Sequence, residues 1–69
     1  MSIAEKLLLN MIRKEVTYKP VDVVYCTNVV QLNYSSPKGM FYVSVNGKSE
    51  ELSGERLIQL ININELRPL

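Results

Sequence analysis

MFYVSVNGKSEELSGERLIQLI, residues Met40 to Ile61, decides the fold. Phe41, Val43 and Val45 alternate with Met40, Tyr42 and Ser44, the period-two pattern of a half-buried strand. Asn46-Gly47 follows, and this pair supplies the two positive-φ residues of a type I′ hairpin turn. Lys48 to Leu52 is then a short returning strand, charged as an edge strand should be. Ser53 caps a second helix running from Gly54 to about Asn62, with Leu57, Leu60 and Ile61 inward.

Working outward toward the N-terminus, Ser36-Pro37-Lys38-Gly39 is a type I turn signal, with Pro second and Gly fourth. It joins the Met40 strand to a strand over Val29 to Ser35. Before that, Thr27-Asn28 is taken as a two-residue turn, although β-branched Thr resists positive φ. It connects to a first strand, Val21 to Cys26. In this register Tyr34 faces Phe41, Leu32 faces Val43, Val23 faces Leu32 and Tyr25 faces Val30. Every apolar row then falls on one side of the sheet, an agreement that supports the whole meander.

Ser2 and Glu5 have the spacing of a capping box, which opens a helix from Ile3 to about Glu15. At about 100° per residue, Ile3, Leu7, Leu8, Met11, Ile12 and Val16 share one wide arc with Leu9 at its rim. Lys6, Asn10 and Arg13 take the opposite side. Thr17 and Tyr18 favour extended backbone, and Pro20 disfavours helix at Lys19. Beyond the second helix, Ile63, Leu66 and Leu69 form an apolar tail. The expected fold is α+β: a single domain spanning 1–69, α-β-β-β-β-α, with a four-stranded antiparallel meander and both helices on one face.

Composition narrows the function classes. Of the 69 residues, 46% are hydrophobic, which argues against disorder. The single cysteine, Cys26, forbids an internal disulfide, and the absence of histidine removes the usual zinc sets. No cofactor or metal is expected. A net charge of +1 argues against a dedicated nucleic-acid module. The apolar run Leu7 to Leu9 is too short to span a membrane and lacks the order of a signal peptide. A soluble cytoplasmic protein is expected.

The catalytic inventory is thin. Cys26 has no histidine to activate it, and its expected place is a small, buried or half-exposed residue of the first strand. Asp22, Glu50 and Glu51 lie on strands, with Glu50 expected beside Lys48 as a solvated pair. Gly47-Lys48-Ser49 resembles the end of a phosphate-binding loop, but Tyr42 stands where that motif needs glycine. Ser53 with the amides of Gly54 and Glu55 reads as an ordinary cap rather than an anion site. No enzyme is expected.

The informative surface is the sheet face away from the helices. It groups Val24, Cys26, Val29, Met40 and Tyr42 with Asp22, Gln31, Asn33, Ser44, Ser49 and Glu51. Apolar residues collected on an open face mark an interaction surface. The expected partner-binding residues are Val24, Val29, Met40 and Tyr42, with Gln31 and Asn33 as their polar surround. The expected function is a small non-enzymatic protein-binding or regulatory module acting through that face. The arc of the first helix, wider than one sheet contact would bury, adds the expectation of a homodimer. One alternative is a nucleic-acid-binding protein that uses Tyr42 and Asn33 on the open sheet and Lys6, Arg13 and Lys14 of the first helix. A further alternative is a phage-type inhibitor of a host protein.

Overall fold

The computed structural model describes all 69 residues. Helix α1 (Ile3–Tyr18) is followed by strands β1 (Val21–Tyr25), β2 (Asn28–Ser35), β3 (Met40–Val45) and β4 (Lys48–Leu52), then helix α2 (Gly54–Asn62) and a short strand β5 (Leu66–Pro68). The sheet is antiparallel with strand order β4-β3-β2-β1-β5. The α+β meander with a helix at each end is therefore the fold, extended by one strand that periodicity did not reveal.

Turn chemistry fixes the β2–β3–β4 part as expected. Asn46 and Gly47 take φ of 51° and 78°, and Val45 lies opposite Lys48, Val43 opposite Glu50 and Phe41 opposite Leu52. Gly39 takes φ of 63° in the preceding loop, where Tyr34 faces Phe41 and Leu32 faces Val43. The Tyr34 and Phe41 rings meet across the strands, 4.9 Å between centroids and tilted by 56°.

The β1–β2 turn departs from expectation. Cys26 and Thr27 form the loop, with Cys26 at φ 56°, so β1 ends at Tyr25 and Asn28 opens β2. Placing Cys26 rather than Thr27 at positive φ spares the β-branched side chain. The register slides by two residues: Val23 faces Val30 and Val21 faces Leu32. A slip of two leaves each side chain on its own face, so the core survives the correction. Cys26 itself is an exposed turn residue, neither in a strand nor buried.

The core is the alternating face of the meander under α2 and the C-terminal half of α1. Val23, Val30, Leu32, Phe41, Val43, Leu52, Leu57, Leu60, Val16 and Leu66 form one buried cluster. Ile58 of α2 is also buried, whereas Ile61, expected inward, is half-buried. Tyr25 Oη donates to Glu50 Oε1 at 3.3 Å. That bond joins β1 to β4 across two intervening strands, so the sheet curls toward its helices. Glu50 thus pairs with a tyrosine rather than with Lys48.

α1 runs to Tyr18, past Glu15, and stops where Pro20 forces Lys19 into extended backbone at φ −162°, ψ 155°. The weak β preference of Thr17 and Tyr18 does not end it. The Ser2–Glu5 capping box is formed in both directions, and Glu5 also accepts from Asn62 Nδ2 at 3.0 Å, tying the start of α1 to the end of α2. Leu9 packs where Gly54 has no side chain; a Cβ there would lie 2.6 Å from Leu9 Cδ2.

α2 closes in a Schellman motif that explains β5. Glu65 N–H donates to the Leu60 carbonyl at 2.8 Å and Asn64 N–H to that of Ile61 at 3.0 Å, with Asn64 at φ 59°. The chain reverses there. Leu66 comes to lie opposite Tyr25 and Arg67 opposite Val24, covering the edge that β1 would otherwise expose. Neither helix is long and apolar enough to cross a membrane.

Candidate functional site

All six expected partner-binding residues lie on the sheet face away from the helices, but five of them fall into two groups and Gln31 lies between. Val24 faces Val29 across β1 and β2, with Arg67 on its other side. Asn33 faces Tyr42, which faces Glu51, and Met40 faces Ser35 in the next row. Between the groups runs a polar row in which Gln31 is flanked by Asp22 and Ser44, and Ser44 by Ser49. The slipped β1 register causes this division. In the expected register Val24 would have stood opposite Gln31, one row nearer to Tyr42.

Exposure on this face is modest. Val29 is 61% exposed, while Val24, Met40, Tyr42 and Asn33 are half-buried and Gln31 is exposed. Beside Met40 and Tyr42 lies a shallow polar hollow of about 360 Å³. Lys38 at its rim sits 3.9 Å from Glu51, both side chains well exposed. Such a pair contributes little to stability, yet it cancels the local positive charge that a phosphate backbone would need.

The helix side carries the larger apolar surface. α1 turns Leu9, Ile12 and Val16 toward the core. Ile3, Leu7 and Met11, which follow one another at four-residue spacing, are 78%, 59% and 64% exposed. Leu9, at one rim of the expected arc, therefore faces inward, and the half of the arc away from it faces solvent. Beside α1 runs a groove of about 490 Å³. One wall is Leu8, Met11, Ile12 and Val16; the other is Val21 and Val23 of β1 with Leu66, Pro68 and Leu69. Glu15, Asp22 and Arg67 are its only charged lining residues. The four-residue spacing of Ile3, Leu7 and Met11 was visible in the sequence. The groove was not, because its far wall depends on β5.

The ionisable groups do not converge on a reactive centre. Cys26 Sγ donates to Glu65 Oε2 at 3.4 Å, and this bond, with some desolvation, pushes the thiol pKa up. A nucleophilic cysteine needs the opposite shift. Burial and the neighbouring Glu50 carboxylate push the Tyr25 hydroxyl up as well. The Ser2 amide and the Asn62 side chain hold the Glu5 carboxyl below its ordinary range. No three of the Cys, Asp and Glu side chains gather where they could hold a metal ion. No protein family, curated protein or solved structure matches this chain.

Proposed function

We propose that this chain is a small, non-enzymatic protein-binding module of the cytoplasm, and that its principal docking surface is the outward side of α1 with the groove beside it. The observation that carries this reading is the unbroken exposed line Ile3, Leu7, Met11, whose last member also walls an apolar groove. A helix apolar well beyond the face it buries is typical of one that packs on two sides. Apolar patches of this continuity are unusual on a chain with no partner. The free, exposed Cys26 fits a reducing compartment.

A second reading keeps docking on the open sheet, at Val24, Val29, Met40 and Tyr42 with Gln31 and Asn33. The exposed Val29 beside Val24 favours it. A photo-crosslinking residue placed at Leu7 or at Val29 in producing cells separates the two. Adducts from position 7 and not from 29 are the expected result. Adducts from 29 alone would move the function to the sheet, and none from either would end the protein-binding reading.

A further inference from the structure

We infer that the occupant of the α1 surface is a second copy of this chain, packed by antiparallel pairing of the two α1 helices; the inference rests on the docking reading above. The surface is complementary to itself. Its ridge, Ile3 and Leu7, lies on the N-terminal half of α1, and its groove is walled by Leu8 near the helix middle and by Met11, Ile12 and Val16 of the C-terminal half. A two-fold axis near Leu8 sets the ridge of each copy into the groove of the other, the reciprocity that an isologous contact requires.

Helix geometry accommodates both contacts. Ile3 and Leu7 lie about half a turn around the helix from Ile12 and Val16. While Ile12 and Val16 hold α1 to its own sheet, Ile3 and Leu7 meet β1 and β5 of the other copy. Leu8 and Met11, between these sides, meet the neighbouring α1. The two helices then form one layer between two sheets. Lys6, Asn10, Arg13 and Thr17 remain on the solvent side.

Charge selects the antiparallel arrangement. Parallel helices would bring Glu15 against Glu15. Antiparallel helices bring Glu15, at the groove, toward the first turn of the other α1, where the peptide dipoles are positive. Glu5, the acid of that turn, is turned away to Asn62. The exposed parts of Ile3, Leu7, Leu8, Met11 and Leu69 amount to about three complete apolar side chains per copy. With the groove walls, this gives a pair burying on the order of 1,000 Å² in total, the lower end for a specific interface. An interface of that size fits a weak, reversible dimer rather than a permanent one.

Sedimentation equilibrium between about 1 μM and about 500 μM tests this. The expected mass rises from the 7.9 kDa chain toward twice that value. Leu7→Glu and Met11→Lys stay at the chain mass with unchanged circular dichroism, and Val29→Glu follows the wild type. In a Cys26→Ser background, oxidising a mixture of Ala4→Cys and Met11→Cys chains yields mainly the mixed disulfide dimer. Monomer throughout the range would overturn the second-copy assignment. If position 7 nonetheless cross-links to a different protein, the docking reading stands without it. Dissociation by Val29→Glu but not by Leu7→Glu would place the dimer contact on the sheet. Mainly self-linked disulfides would overturn the antiparallel pairing.

Discussion

Leu66→Ala tests the part of the fold on which the groove depends. Leu66 is 5% exposed and belongs to the core cluster, although it sits on a strand of three residues. Truncating a buried leucine costs about 2–5 kcal/mol, from lost transfer free energy and the cavity left behind. Leu66 also lines the open groove, where water and neighbouring side chains can enter the space, so the lower part of that range, about 2–3 kcal/mol, applies. A chain of 69 residues has a total stability of about 3–10 kcal/mol. With a urea slope of about 1 kcal/mol/M, the midpoint should fall by about 2–3 M. If that leaves the variant unfolded in water, Leu66→Val, at about 1 kcal/mol, keeps the shift measurable. Ile63→Ala, at a residue 59% exposed, should change stability by less than about 0.5 kcal/mol. The reasoning fails if Leu66→Ala lies within about 0.5 kcal/mol of the wild type, or if Ile63→Ala costs as much.

Three further outcomes follow from named contacts. Glu5 has a depressed folded pKa, so its contribution is present above the unfolded value of 4.5 and lost as pH falls through the lower folded one; melting curves of Glu5→Gln should lack that acid-side loss. Tyr25 has a raised folded pKa, so stability present below the unfolded value of 10.0 declines as pH rises through the folded one; Tyr25→Phe should flatten the alkaline decline in a pH series of denaturation midpoints. Asn64 holds φ of 59°, so Asn64→Ala should cost about 1 kcal/mol while Asn64→Gly is neutral or stabilising, read by urea unfolding.

The sequence was most legible where single residues dictate backbone geometry. Asn46-Gly47 and the Pro37–Gly39 turn set two hairpins, and with them the placement of Phe41, Val43, Leu32 and Leu52 in the core. It was less legible where such residues are lacking. Between Tyr25 and Asn28 the positive φ falls on Cys26, a residue with no preference for it, and the register of β1 moved by two. The core was insensitive to that slip; the open face was not, since it carried Val24 away from the row of Tyr42. β5 is too short for a periodic signal, and its one local cue was Asn64 as the residue after a helix end. Around α1 the apolar arc is so wide that sequence alone did not say which part meets the sheet. The choice of Leu9, Ile12 and Val16 as the inward side is set by Gly54 and Asn62 on α2, which receive Leu9 and Glu5.

Methyl NMR spectra recorded across a dilution series, or on addition of whichever protein cross-links, test most directly whether α1 is the contact surface. The methyl signals of Ile3, Leu7, Leu8 and Met11 should shift or broaden on association while those of Val29 and Met40 stay in place. Movement of the Val29 and Met40 signals with the α1 methyls unchanged would contradict the account.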